Sequence, residues 1–142
     1  MIDAQVYLAS IRAMGIRLQT KIQQVQRLRD SLRSITAALD QELVSHTKSV
    51  GAMADTIAMM IDIEKEVDQQ TSEYLKAKRE ALRLLERIKP ESATILVERY
   101  FEGKTFIEIG KIIFVTERQA QRRCKEAIRE FQRVLDEKDS LK

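Results

Sequence analysis

Apolar side chains recur through the first forty residues in steps of three and four, with one gap at Lys21. Such steps keep the apolar positions on one face of an α-helix, where they form a coiled-coil seam. We therefore predict a long amphipathic helix from about Asp3 to Leu43, which needs a partner to cover that seam. The seam positions are Ile11, Met14, Leu18, Val25, Leu28, Leu32, Ile35 and Leu39.

A polar, β-branched stretch at residues 44–51 ends at a glycine and predicts a connector. A second periodic segment then runs from about Ala52 to Ile88. Two long helices joined by a short connector favour an antiparallel, coiled-coil-like hairpin in which each helix covers the other's stripe. Because the two stripes alone bury little surface, we also expect self-association as a homodimer through these N-terminal helices.

The single proline of the chain, Pro90, ends this pattern. A proline disfavours the helical conformation of the residue before it and is well tolerated in the first turn of a new helix. We place a boundary between Lys89 and Pro90. The expected division is a helical hairpin for oligomerisation or partner binding over residues 1–89 and a second domain over residues 90–142.

Signals that end and start helices lie close together after the proline. A helix of about three turns is expected to end at Gly103, in the place of a left-handed cap. Thr105 and Glu108 have the spacing of a capping box, in which the hydroxyl accepts from a backbone N–H and the carboxylate accepts from the N–H of the cap. A short helix is predicted over about 106–112, and Gly110 within it permits the close approach of a neighbouring helix.

A second capping box, Thr116 with Gln119, follows eleven residues after the first. It starts a helix that we predict from Glu117 to at least Leu135, with a frayed tail over residues 136–142. Two helices joined by so short a turn cross steeply, which indicates a helix-turn-helix. The predicted fold class is all-α, with the long antiparallel hairpin followed by a three-helix domain that contains the helix-turn-helix.

Composition narrows the class of protein further. The 142 residues include one proline, four glycines and no tryptophan, whereas all-β folds need frequent turn residues. No uncharged stretch is long enough to span a bilayer, and no basic segment precedes an apolar run as in a signal peptide. One cysteine without an export signal fits a reducing cytosol, so we expect no membrane partner and a cytoplasmic protein.

Residues with obvious catalytic or ligand chemistry are scarce. The sequence has no glycine-rich phosphate loop, no cysteine pair and no histidine cluster. We therefore predict no enzymatic activity, no catalytic residue, no metal site and no cofactor. His46 is expected as a solvated loop residue, and Cys124 as a small core residue.

The start of the last helix carries side chains suited to DNA. In a helix-turn-helix the capped second helix enters the major groove, where Arg pairs with guanine, Gln with adenine and Glu with the cytosine amino group. The candidates for base contact are Glu117, Arg118, Gln119, Gln121 and Arg122. The candidates for phosphate contact are Arg123, Lys125 and Arg129, with Thr105 as a neutral donor and Thr116 as the cap.

These C-terminal residues resemble region four of bacterial sigma factors. The resemblance is carried by ILVERYFEGKTFIEIG at 95–110, VTERQ at 115–119 and the pair Ala127-Ile128. The wider layout is similar to small phage and prophage proteins of the ArpU and RinA types, in which a helical pair precedes such a domain. In two places the chain departs from the pattern: Phe114 stands where a glycine is usual, and Arg123 where an apolar residue is usual, with Cys124 in the buried role.

The resemblance implies a transcriptional regulator in the cytoplasm of a bacterial host. Its implied partner is double-stranded DNA, and host RNA polymerase is a further candidate partner. Carried over by position, Thr116 is the helix cap, and the base-reading positions are Glu117, Arg118, Gln121 and Arg122.

Three alternatives remain open from the residues alone. A small terminase subunit, which packages DNA, also combines a helix-turn-helix with oligomerising helices. A helical interaction module could bind polymerase or another protein without DNA. The basic residues could also be the solvated face of an ordinary three-helix bundle.

Overall fold

The structure, a computed structural model, describes residues 2–41 and 46–141, and these residues contain helices and turns but no strand. The all-α class predicted from the sequence is confirmed over this part of the chain. A single turn of π-helix, Val97–Phe101, directly follows the third α-helix. The α-helices are α1 (Ala4–Gln41), α2 (His46–Leu85), α3 (Pro90–Leu96), α4 (Phe106–Ile113) and α5 (Glu117–Ser140).

The N-terminal boundaries differ from those predicted. Helix α2 begins at His46 and not near Ala52, so the connector predicted over residues 44–51 is wrong from position 46 onward, and His46 is not a loop residue. Polar and β-branched residues lower helix propensity only slightly, so this composition does not prevent a helix. Gly51 inside the helix costs only about 1 kcal/mol of helix propensity. Residues 42–45, where the predicted first helix ends and the connector begins, lie outside the described residues.

The C-terminal boundary also extends further than expected. Helix α5 continues through Ser140, so the tail predicted as frayed is helical from residue 136 to residue 140. Val134 and Leu135 are buried near this end, and packing of such residues extends a helix beyond what propensity alone predicts. No helix in the described ranges is long and apolar enough to cross a membrane.

The described residues pack as two compact units. One unit combines residues up to Met14 with those from Tyr74 onward, and the other comprises Gly15–Glu73. Helices α1 and α2 each contribute residues to both units. The functional division between residues 1–89 and 90–142 remains a prediction, because packing alone assigns no function to either part.

The first unit contains a contiguous apolar core. The start of α1 belongs to it: Leu8 is fully buried, and the ring centroids of Tyr7 and Phe131 lie 5.9 Å apart. The backbone N–H of Ala4 donates to the side-chain oxygen of Gln132 at 2.7 Å. The core residues are Ala4, Leu8, Leu84, Leu85, Ile95, Leu96, Ile109, Ala120, Cys124, Ala127, Phe131, Val134 and Leu135.

The second unit consists of the remaining parts of α1 and α2. Two ion pairs join them, Lys21 with Glu66 at 3.0 Å and Arg29 with Glu64 at 3.5 Å. Thus, as the residue number rises along α1, that of its partner on α2 falls. The sequence pattern predicted an antiparallel hairpin, and these two pairs are consistent with that direction within this unit.

The segment after α3 contains a feature that the sequence pattern did not indicate. In place of one regular helix of three turns, α3 passes into the π-helical turn, whose bonds include Glu102 N–H to Val97 O at 3.1 Å. Gly103 then adopts a φ of 69°, which confirms the predicted left-handed cap. The helical segment that starts with α3 therefore ends just before Gly103, as expected.

Arg99 connects the end of this segment to the start of α4. Its Nη1 donates to the carbonyl of Lys104 at 3.0 Å, and its guanidinium lies 4.2 Å from the centre of the Phe106 ring. A cation over an aromatic face is attracted by the negative potential of the ring. The side chain thereby links the π-helical turn to the first residue of α4.

Candidate functional site

A complete capping box starts α5. The Thr116 hydroxyl accepts from the backbone N–H of Gln119 at 3.2 Å, and the Gln119 side-chain oxygen accepts from the N–H of Thr116 at 3.0 Å. Both halves of the predicted box are confirmed. Because these bonds satisfy two free N–H groups, the first turn of α5 is held in helical geometry.

The cap of α4 is only half of the predicted box. The Thr105 hydroxyl accepts from the N–H of Glu108 at 3.2 Å, as expected. The Glu108 carboxylate accepts from that same hydroxyl, also at 3.2 Å, where the prediction gave it the N–H of Thr105. Thr105 is exposed at this cap, and it is not among the side chains that line the concavity described below.

Gly110 brings the turn between α4 and α5 close to α4 itself. A Cβ built at this position would lie 2.6 Å from the carbonyl oxygen of Val115, a distance that real Cβ atoms do not show. The predicted close approach therefore exists, but the neighbour is the backbone of the turn, where the prediction had a neighbouring helix. The N–H of Val115 also donates to the carbonyl of Gly110 at 2.8 Å.

Phe114 occupies a left-handed backbone conformation in this turn. Its φ is 61° and its ψ is 46°, and it is the only residue other than glycine with a positive φ in the described part of the chain. This conformation crowds a Cβ and costs about 1–2 kcal/mol for a residue with a side chain. The turn thus keeps the geometry that a glycine would favour, although a phenylalanine stands at this position.

The outward side of α5 carries cations without protein partners. We call Arg118, Arg122, Lys125 and Arg129 the basic face; all four are exposed. Among the described residues, none of the four lies within ion-pair distance of a carboxylate, whereas seven other cations are paired. Positions 118, 122, 125 and 129 repeat every three or four residues, so they share one side of the helix.

A concavity of about 350 Å³ lies at the start of this basic face. Six of the ten predicted site residues line it together: Thr116, Arg118, Gln119, Gln121, Arg122 and Lys125. Its polar side chains are two amides, one hydroxyl and three cations. This set can donate hydrogen bonds to anionic or carbonyl oxygens, and the amides can also accept.

The other predicted site residues are placed differently. Glu117 is exposed in the first turn of α5, and Arg129 lies one turn beyond Lys125 on the basic face. Arg123 is half-buried and pairs with Glu91 in the first turn of α3, so its charge is already partly balanced within the protein. Its predicted contact with phosphate remains a prediction.

The core side of α5 matches the expected pattern. Ala120, Cys124 and Ala127 are buried, and Cys124 is a small core residue as predicted. Burial raises the pKa of the Cys124 thiol above its ordinary value, and the nearby positive charge of Arg99 offsets part of that rise. Over the described residues, no group of three or more His, Cys, Asp or Glu side chains could hold a metal ion.

Sequence reasoning missed three exposed apolar side chains on α4 and in the turn after it, which we call the exposed apolar group. Ile107 is 53% exposed, Ile112 is 39% exposed and Phe114 is 93% exposed. The signal available in the sequence was a phenylalanine at a turn position between the two predicted capping boxes, after a short helix that contains several isoleucines.

No family model, no curated protein and no solved structure matches the chain.

Proposed function

We propose that this chain is a sequence-specific DNA-binding transcriptional regulator of phage or prophage type, with α4 and α5 as its helix-turn-helix. One observation carries the proposal. Three exposed cations without carboxylate partners, Arg118, Arg122 and Lys125, line one concavity at the capped start of α5. Cations at the start of α5 that have no carboxylate partner suit an anionic ligand, because no ion pair within the protein must be broken when the ligand binds.

The dimensions and the residue types of α5 suit the major groove. A helix with its side chains is about 10–12 Å wide, and the groove is about 12 Å wide. Arg118 and Arg122 can each pair with the guanine edge, and Gln121 with adenine. Lys125 and Arg129, further along the basic face, then lie towards the phosphates, which set the register without reading sequence.

The resemblance of residues 95–128 to sigma region four supports the same proposal and extends it. It adds a bacterial host cytoplasm as the location and host RNA polymerase as a second partner. The exposed apolar group at Ile107, Ile112 and Phe114 favours such a protein contact, because exposed apolar side chains gain free energy when a partner covers them. Binding to a protein alone, without DNA, is the second candidate function, and this group favours it.

The test is the affinity of the full chain for duplex fragments from its own genomic region, measured by fluorescence anisotropy. Arg122→Ala is expected to weaken binding to a specific fragment by about 1–3 kcal/mol, about 5-fold to 150-fold. Arg83→Ala is the matched control, because Arg83 is an exposed cation near the end of α2 and lies outside the basic face. Equal affinities for both variants and the unmodified chain would show that Arg122 reads no base.

Salt dependence separates the two candidate functions. Phosphate contacts release counterions, so DNA affinity must fall steeply as salt rises, and Lys125→Ala should lower the slope by about one. A specific polymerase interaction with no detectable duplex binding at low salt would favour the protein-interaction module.

A further inference from the structure

The unit of residues 15–73 leaves most of its apolar seam uncovered. Among its described residues only Leu18 and Val25 are buried, at 8% and 9% exposure. The other apolar positions that face inward in the heptad pattern of α1, and those of the periodic stripe of α2, remain partly open to solvent. On α1 and α2 these positions include Leu28, Leu32, Ile35, Met53, Ile57, Met60 and Val67. Two helices with so small a common core bury little apolar surface, and apolar burial is the main stabilising contribution to folding.

One side of this unit is a groove with an apolar and a charged part. The apolar part is Ile22, Val25 and Val67, and the charged part includes Arg29, Glu64 and Asp68. Ile22 is half exposed there, at 50%. Ile61, three residues before Glu64 and seven before Asp68, lies on the same side of α2 and is 43% exposed.

The two helices of this unit carry opposite charge. Residues 15–41 of α1 hold five basic and two acidic side chains, which is a net charge of +3. Residues 46–73 of α2 hold two basic and six acidic side chains, which is a net charge of −4. The two ion pairs described above already use this complementarity inside one chain.

We propose that a second copy of this chain covers the groove side of residues 15–73, in a two-fold pairing that places α1 of each copy beside α2 of the other. In a two-fold interface the same patch meets itself, so the patch must be self-complementary. A patch made of a basic and an acidic helix side by side meets this condition, and a rotated copy repeats the match. The result is four helices around a shared apolar core, a common arrangement for such hairpins.

This pairing deepens the expected homodimer by naming its face, and it does not depend on DNA binding. Ile22 and Ile61 enter the shared core, and the α1 and α2 helices alternate in charge around it. A different protein on this face would need its own matched pair of charged helices, whereas the second copy supplies them.

The test is sedimentation equilibrium of the full chain from about 1 to 100 μM. The unmodified chain is expected to be a dimer, and Ile22→Gln or Ile61→Gln should raise the dissociation constant about tenfold or more, because each change acts twice in a two-fold dimer. Ile16→Gln and Met59→Gln are matched controls. Ile16 is 52% exposed and lies two residues before Leu18, and Met59 is 54% exposed and lies two residues before Ile61. Because residues two apart point to nearly opposite sides of a helix, both control residues face away from the groove.

Three results would overturn the pairing. The first is a monomer at every concentration, and the second is an equal loss of self-association in the groove variants and the matched controls. The third is a ring of eight or more subunits, which would favour the packaging alternative. Circular dichroism of each variant checks that helix content is unchanged. Arg122→Ala should keep the dimer, so a failure of DNA binding and a failure of self-association give different results.

Discussion

Gly110→Ala should destabilise the protein although it replaces glycine inside a helix. In a helix interior this change alone stabilises by up to about 1 kcal/mol. Here the added Cβ would lie 2.6 Å from the Val115 carbonyl oxygen and 3.4 Å from the carbonyl carbon and oxygen of Thr116. These neighbours are backbone atoms, so the turn into α5 must move. Such overpacking costs about 1–3 kcal/mol, which leaves a net loss of about 1 kcal/mol.

Gly51→Ala is the matched control for this prediction. Gly51 lies inside α2, and a Cβ there would meet no atom within 4 Å. The same substitution therefore brings the helix gain without the clash. Urea unfolding followed by circular dichroism should show Gly51→Ala more stable than the unmodified chain and Gly110→Ala less stable. If both variants gain the same stability, the close approach of the turn to α4 is refuted.

Two further predictions concern the turn and the buried thiol. Phe114→Gly should raise the free energy of unfolding by up to about 1 kcal/mol, because it removes about 1–2 kcal/mol of left-handed strain at an entropic cost of about 0.5–1 kcal/mol; a fall in the urea midpoint would contradict this. The raised pKa of Cys124 means that the folded state holds the thiol proton more tightly than the unfolded chain. The contribution of Cys124 to the free energy of unfolding should therefore be fully present below the ordinary thiol pKa and should decrease above it. Between pH 8 and pH 10 the Cys124→Ala variant should lose less unfolding free energy than the unmodified chain, and an identical loss in both proteins would refute the assignment.

The features that depend on local chemistry were predictable. The cap at Thr116, the left-handed Gly103 and the inward side of α5 each follow from residues within one or two turns of helix. A hydroxyl at an N-cap and a glycine at a C-cap act on neighbouring backbone groups, and no distant residue need be known. The same reasoning placed Arg118 and Arg122 on an exposed side of α5.

The features that depend on distant residues were not predictable. The seam predicted on α1 begins at Ile11 and leaves out Leu8, which is fully buried in the core of the first unit. Periodicity also does not say which surface covers a helix face. Arg123 pairs with Glu91, thirty-two residues earlier, and this contact follows only from the packing of α3 against α5. The left-handed Phe114 could not be read from the sequence either, because a phenylalanine does not favour that conformation.

The bonds between Gln132 and the backbone at Ile2 and Ala4 have a consequence for biosynthesis. A ribosome releases the N-terminal residues first, and their binding surface on α5 emerges about 130 residues later, as the separation of the bonded groups shows. During that interval the start of α1 lacks its bonds to Gln132 and the contact of Tyr7 with Phe131, whereas residues 15–41 of α1 can already meet α2. The unit that carries the basic face therefore completes these contacts only after α5 has been synthesised, and a chain that stalls before α5 cannot form them.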